Sequence, residues 1–356
     1  MPLETRNVFI DTEFFVKANL DFNSTTIRAF EDLCQRLELN HITSTIVVKE
    51  VQRKIVSQIR EALKGIKNFQ RKAAVLKEYH DQNVQNLFTE IHEPDVEAMA
   101  LRTFEGFITK SNATVLDMSG VDGNEIINMF FDHVTPFSSS KPNEFRDAFT
   151  LLSIRQHLKV DEKTYVVSSD PDHKAFCAAN EKFISVDTLS AMLDIYNRHD
   201  KRAKFVEQFL ESKRDEIRLN LQAQLNEAEA YNYSTWEDAE VDSFEVVEIG
   251  AFEPEIIKIN DESCSIKFDM VVKFKVDASG PDFENSYYDR EDDRLYTFDS
   301  IEREEEQEKE FSVEMDLFFE DDGGELINEE YDLDIKGLHG GIEFSVDEIP
   351  FEDPRM

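Results

Sequence analysis

The sequence predicts three parts: an α/β fold built on a parallel sheet flanked by helices over residues 1–199, a connecting helix over 200–235, and an acidic antiparallel β-domain, a sandwich or open barrel, over 236–356. Three observations lead there. Short apolar runs in the first part alternate with stretches of helical periodicity, the pattern of strands joined by crossover helices. After Trp236 the apolar period shortens to two, the period of a half-buried strand. Charge is divided unequally along the chain. Residues 236–356 hold 40 acids against 10 bases, a net charge of −30, whereas residues 1–235 hold 36 against 29, a net charge of −7.

The elements follow in order. Asn7–Ile10 (NVFI) reads as a short buried strand that stops at Asp11. Ser24 is a plausible N-cap for a helix carrying Ile27, Phe30, Leu33 and Leu37 at helical spacing. His41–Ser44 is a short extended segment, and a long helix begins near Ile46. Ala113–Leu116 is a further apolar run, followed by a helix around Glu125–His133. A Ser- and Pro-rich loop, Thr135–Asn143, ends at Asn143, which is placed to cap a helix running through His157. Tyr165–Val167 is a buried strand ending at Ser168, Ser169 and Asp170, and Phe183–Ser185 is the last strand of the sheet. The connecting helix shows Phe205, Phe209, Ile217, Leu221 and Leu225 on one face.

In the last third, Ile266, Phe268, Met270, Val272, Phe274 and Val276 alternate, as do Phe311, Val313, Met315, Leu317 and Phe319. Phe344, Val346 and Ile349 suggest a final strand. The charge run Asp299–Glu310 reads as a solvated loop or short exposed helix.

Composition excludes several classes. With 40% hydrophobic and 32% charged residues the chain can bury a core, so wholesale disorder is not expected. No apolar run reaches 18 residues, and the start lacks the basic-then-apolar layout of a signal peptide. Cys34, Cys177 and Cys264 are odd in number and widely spaced, which speaks against a disulfide framework or a structural zinc site. The expected compartment is a reducing cytoplasm. A net charge of −37 repels phosphate backbones and membrane surfaces when averaged over the chain.

One helix departs from that average. Along Val51–Glu78, Ile55, Ile59, Ala62, Ile66, Phe69, Ala73 and Leu76 form an apolar stripe, while Arg53, Arg60, Lys64, Lys67 and Arg71 form a second one on another face. That cationic ridge is either a solvated face or a phosphate-contacting surface.

Chemistry is sought where an α/β sheet places ligands, at the C-terminal strand ends near the point where strand order reverses. Asp11 and Asp170 directly follow apolar runs. Glu50 lies at the start of the long helix and Asp147 in the first turns of its own. Each acid alone is explained as a turn former or a helix-start acid. Four of them converging would raise one another's pKa, and a hard cation with oxygen ligands, Mg²⁺ or Mn²⁺, resolves that conflict.

In these blocks the sequence resembles the PIN-domain nucleases: VFIDTEFF (Asp11, Thr12), IVVKEVQRK (Glu50), NEFRDAF (Asp147) and VVSSDPDH (Asp170, Asp172), in the family's order over roughly residues 7–190. FVKANLDFNSTTIRAFEDL further resembles a PIN-like subgroup with inserted helices and an added C-terminal region. The resemblance implies a parallel sheet flanked by helices and metal-dependent hydrolysis of phosphodiesters, most often in RNA. Carried over, Asp11, Glu50, Asp147 and Asp170 are the catalytic metal-binding acids, with Asp172 in support. Thr12, Glu144 and Ser168 would orient them. Asp172 and Glu144 also read as ordinary first-turn acids, and His173 as a surface residue beside the site. The stretch from Glu50 to Asp147 is long for a minimal PIN domain, and Ser169 stands where the family often has Asn.

Competing enzymes lack their marks. A haloacid-dehalogenase-type phosphatase needs Asp where Glu13 stands, and neither GxxxxGK[ST] nor GxSxG occurs. The leading expectation is a metal-dependent ribonuclease. The alternatives are a DNA-directed nuclease of the same kind, or an inactive PIN-like scaffold whose acidic β-domain binds a basic protein partner.

Overall fold

Five short strands, β1 (Asn7–Ile10), β2 (Asn40–Ser44), β3 (Thr114–Leu116), β4 (Thr164–Val167) and β5 (Phe183–Val186), pair in parallel in the order β3-β2-β1-β4-β5. The computed structural model describes residues 3–79, 81–137, 141, 143–200, 202–289, 294–322 and 325–349. The chain divides into two units, residues 1–199 and 200–356. In the first unit β1 and β4 are buried along their apolar runs, Val8–Ile10 and Tyr165–Val167, as a parallel sheet covered on both faces requires. The chain starts in the middle of the sheet, builds outward through β2 and β3, then returns to the other side of β1 with β4. Strand order therefore reverses between β1 and β4, and the C-terminal ends of such a pair are where an α/β sheet places its ligands.

Among the described residues of this unit, nine α-helices lie between and after the strands: α1 (Thr12–Lys17), α2 (Thr25–Gln35), α3 (Thr45–Lys72), α4 (Gln82–Asn86), α5 (Glu93–Lys110), α6 (Gly123–Phe131), α7 (Phe145–His157), α8 (Pro171–Ala178) and α9 (Leu189–Asn197). Four of them start on a side-chain cap at or just past a strand end. Asp11 accepts from Thr12 N–H, Ser44 from Val47 N–H, Asp170 from Asp172 N–H, and Thr188 before α9 from Ala191 N–H. The caps expected at Ser24 and Asn143 differ. Ser24 precedes α2 without a side-chain bond, and the residue before α7 is Glu144. Leu37 lies beyond α2 at φ 60° and is exposed. Ser138–Ser140 and Pro142 of the expected loop lie outside the described residues.

The long helix α3 buries Val47, Val51, Ile55 and Leu63, and it packs against α5. The expected apolar stripe is therefore only partly a core face. Ala62 is exposed, as are Ile66 and Phe69, and Leu76 lies in a 3₁₀ turn past the helix end. Apolar periodicity in a helix that overhangs its sheet marks an amphipathic surface without guaranteeing something to cover it.

In the second unit α10 (Ala203–Asn226) precedes β6 (Ala230–Asn232), β7 (Glu240–Ile249), β8 (Glu255–Ile259), β9 (Ser263–Pro281), β10 (Tyr287–Asp289), β11 (Arg294–Tyr296), β12 (Ser300–Asp322), β13 (Glu325–Ile335) and β14 (Ile342–Phe344). An antiparallel sheet ordered β13-β12-β9-β7, with β8 also on β9, curves into a half-barrel. Alternate residues of β9 from Cys264 to Ala278 and of β12 from Val313 to Phe319 are buried on one face. Val206, Phe209, Ile217, Leu221 and Leu225 of α10 join the same core. The helix expected as a connector is thus packed within this unit.

The charge run Asp299–Glu310, expected as a loop or helix, is a correction: from Ser300 onward it is part of β12, paired with β9 along its length. Cross-strand partners make this possible. Lys273 meets Glu306 at 2.6 Å and Lys275 meets Glu304 at 2.7 Å, the opposite-charge pairing that favours a sheet. Ile349 is exposed beyond the final short strand, whereas Val346 is buried outside it. Among the described residues no helix is long and apolar enough to cross a membrane, and all three cysteines are buried and free.

One contact tests the packing of β9. A Cβ added at Gly280 would stand 2.6 Å from Trp236 Cε2 and 2.7 Å from Ala239 Cβ. Trp236 is buried and donates its indole N–H to Pro281 O at 2.8 Å, so the ring has no easy retreat. Gly280→Ala is expected to destabilise the second unit by about 1–3 kcal/mol. The readout is the urea midpoint of its unfolding, and an unchanged midpoint would contradict this packing.

Candidate active site

The site is assembled where β1 and β4 end. Asp11 N–H continues the ladder to Val167 O at 3.1 Å, so the residue is fixed at the seam between the two strands. Its Oδ1 accepts from Thr12 N–H at 2.7 Å and its Oδ2 from the Ser168 hydroxyl at 3.2 Å. Only 8% of Asp11 is exposed. Burial pushes its pKa up from the ordinary carboxylate value, against the pull of His173, Thr12 N–H and Ser168.

Glu50 arrives from the second turn of α3. Its carboxylate accepts from Thr12 Oγ1 at 3.0 Å and pairs with Arg146 at 2.5 Å. Asp147 arrives from the first turn of α7. Burial, a hydrogen bond with Glu144, and the charges of Asp11, Glu144 and Glu50 push its pKa up to about 8. The structure thus brings Asp11, Glu50, Glu144 and Asp147 together, with Thr12 and Ser168 as hydroxyl partners.

Asp170 and Asp172 form the other side. Asp170 caps α8 and receives Lys141 Nζ at 2.6 Å, while Asp172 lies 3.4 Å from the same ammonium. Burial works to raise the Asp170 pKa, but Lys141 and Asp172 N–H outweigh it, and the net shift is downward. Ser168 joins the two sides, because its oxygen also accepts from Asp170 N–H at 3.2 Å.

His173 is a correction. Expected at the surface, it is 4% exposed and lies between the carboxylates. Its Nδ1 is 3.0 Å from Ser168 Oγ and 3.7 Å from Asp11 Oδ2, and its Nε2 is 3.8 Å from Asp147 Oδ2. The sequence carried its direction but not its burial. His173 is the third residue of a helix capped by Asp170, and helical side chains lean back toward the N-terminus. Lys141 and Arg146, which hold Asp170 and Glu50, were also missed, as was a triad in which Lys17 and Ser169 hold Glu13. No spacing rule marks Lys141 or Arg146, whereas Lys17 stands four residues after Glu13, at the ordinary spacing of a helical ion pair.

The donor set suits a hard divalent cation: carboxylate oxygens from four elements, with Asp147 unable to ionise at its ordinary pKa beside the others. Geometry is less complete. Among the described residues no three His, Cys, Asp or Glu side chains surround one point as ligands of an ion. The fit is one of charge and donor chemistry.

All five basic residues of the α3 ridge are exposed: Arg53, Arg60, Lys64, Lys67 and Arg71. Arg60, however, pairs with Glu93 at 3.3 Å and Glu97 at 2.9 Å. Lys49, Arg53 and Arg60 help line an open groove with Leu101 of α5. At about 1.5 Å of rise per residue, Arg53 lies roughly one turn from Glu50 and Arg71 about 30 Å along the axis.

The PIN domain family model matches residues 8–173, from β1 to His173 and across all four acid blocks. The parallel sheet flanked by helices fits the fold of that family, whose members are generally nucleases. No curated protein and no solved structure matches the chain significantly.

The crowding of acids has a sign that stability can read. Asp147 holds its proton more tightly folded than unfolded, so ionising it costs stability as pH rises from about 4, near its ordinary value of 3.8, to about 8. In chelator, Asp147→Asn is expected to exceed the wild type by about 1–2 kcal/mol at pH 8, with the two converging below pH 4. Equal stability across that range would show that Asp147 ionises freely.

Proposed function

We propose that the protein is a metal-dependent nuclease that hydrolyses phosphodiester bonds, with RNA as the substrate class and DNA as the alternative. The observation that carries this reading is Asp147, an acid pressed by Asp11, Glu50 and Glu144 at the crevice of a fold that fits the PIN domain family. Asp11, Glu50, Asp147 and Asp170 would hold the ion, Mg²⁺ or Mn²⁺, with Asp172 beside Asp170. Bound there, the ion supplies charge to a phosphate and lowers the pKa of a water for in-line attack.

The protein's own groups set the geometry. Asp11 is held by Thr12 N–H and Ser168, and Glu50 by Thr12 Oγ1, so both carboxylates are positioned before any ligand arrives. Arg146 and Lys141 are partly exposed cations at the rim, within reach of a strand's phosphates. Farther along α3, Lys64 and Lys67 extend the cationic track, whereas Glu93 and Glu97 neutralise Arg60.

A second reading, a scaffold without catalysis, is favoured by the ion pairs Glu50–Arg146 and Asp170–Lys141, which satisfy two acids with no added cation. For the second unit we propose a basic protein partner, recruited by the outward glutamates of β12 and a net charge of −30 over residues 236–356. The proposed compartment is the cytoplasm.

The test is a panel of labelled RNA and DNA incubated with the full chain and Mn²⁺. Asp11→Asn and Asp147→Asn are each expected to reduce cleavage at least about 100-fold, and Mn²⁺ to raise the melting temperature of the wild type. Wild-type rates in both variants would remove the site assignment, and an unmoved melting temperature would favour the scaffold.

The ridge has its own test. Changing Lys64 and Lys67 together to Glu is expected to weaken RNA binding and flatten its salt dependence by roughly one unit of slope per lost phosphate contact. Arg60→Ala is expected to change the slope less, because its charge is already spent on Glu93 and Glu97. An unchanged slope in the double variant would assign the ridge to solvation.

A further inference from the structure

The hydrogen bonds of Ser168 decide which nitrogen of His173 carries the proton. A hydroxyl offers one donor and two acceptor lone pairs. Asp170 N–H can only donate to Ser168 Oγ, at 3.2 Å. In the cation-bound state, where Asp11 as a ligand must be ionised, the single hydroxyl proton goes to Asp11 Oδ2, also at 3.2 Å. The third contact, His173 Nδ1 at 3.0 Å, must then be an Nδ1–H donating to the remaining lone pair.

The neutral ring with its proton on Nδ1 has a bare lone pair on Nε2. That atom is buried and, among the described residues, has no hydrogen-bond partner. It faces Asp147 Oδ2 at 3.8 Å, too far for a direct hydrogen bond. Once Asp147 gives up its proton, as a cation ligand must, two Lewis bases face one another there and neither can satisfy the other. Leaving a buried acceptor unpaired is costly, so the arrangement calls for something between them. Two ligands of one ion, each bonded at about 2.1 Å, stand roughly 3–4 Å apart. The separation matches.

We propose that His173 Nε2 is a nitrogen ligand of the cation beside Asp147, so that the centre is a mixed nitrogen–oxygen site selective for Mn²⁺-type ions over Mg²⁺. This rests on the metal-dependent reading above and narrows it. Imidazole suits transition ions, whereas Mg²⁺ takes oxygen ligands and keeps its waters. Ser168 then serves the ring as the outer partner that fixes its tautomer and aims its free nitrogen, as ligating histidines commonly require. The opposed structure is a protonated His173 acting as an internal counter-ion between Asp11 and Asp147, which needs no ion.

Pulsed electron paramagnetic resonance on the Mn²⁺-loaded full chain distinguishes them. The expected result is nitrogen modulation of the Mn²⁺ signal that changes from the ¹⁴N to the ¹⁵N pattern in protein labelled with ¹⁵N-histidine. This arm needs no substitution and does not depend on a variant folding. His173→Gln is expected to abolish the modulation. It should also weaken Mn²⁺ affinity by about tenfold or more, with Mg²⁺ affinity changing less than about threefold. Bound Mn²⁺ without nitrogen modulation overturns the ligand role and leaves the nuclease reading standing. No Mn²⁺ binding at all overturns both.

Discussion

The constraint on which the site depends is that like charges cannot share a buried crevice at their ordinary pKa. Parallel strands β1 and β4 leave Asp11 and Asp170 at the reversal of strand order, and helices α3 and α7 bring in Glu50 and Asp147. Each acid is drawn there by the path of the backbone. Burial then withdraws the water that would solvate their charge. What surrounds them is a set of partial remedies: Arg146 for Glu50, Lys141 for Asp170, Ser168 and Thr12 for the remaining oxygens. Asp147 is left with another acid, Glu144, and keeps its proton. A crevice so arranged has a standing demand for positive charge, which is the property a phosphodiester-cleaving site uses.

The two units answer a large negative charge in opposite ways. In the first, acids are gathered inward at one end of the sheet. In the second, they are spread outward along β7, β9, β12 and β13, while the other face of each strand builds an apolar core with α10. Exposed carboxylates on a strand remain solvated and repel weakly at physiological ionic strength. Cross-strand lysines such as Lys273 and Lys275 offset part of that repulsion. The fold of the second unit rests on period-two burial and tolerates its charge.

Much of this was legible in the sequence because it rests on local patterns. NVFI before Asp11 and TYVV before Ser168 are continuous apolar runs, as buried parallel strands must be. The period-two segments around Phe268 and Met315 are equally plain. The charge run within β12 was not, because the half-buried positions on its inner side are polar. Gln307 bonds to the backbone of Ser345 and Lys309 lies over the Phe344 ring, so burial there leaves no hydrophobic alternation to read. His173 failed for a different reason. Its burial depends on Asp11 and Asp147, which are remote in sequence, and a histidine after an acidic turn otherwise looks solvated. The counter-ions Lys141 and Arg146 are set by tertiary geometry that no spacing encodes.

The central claim is that Asp147 holds a proton which a cation must displace. Calorimetric titration of Mn²⁺ into the full chain, repeated in buffers of different ionisation enthalpy, counts the protons released on binding. With Asp147 titrating at about 8 and the Asp11 pKa also raised by burial, about one proton or more is expected to leave per bound ion at pH 7, and fewer as pH rises past 8. Binding that releases no proton at pH 7 would contradict the claim, because the carboxylates would then already be fully ionised before any cation arrived.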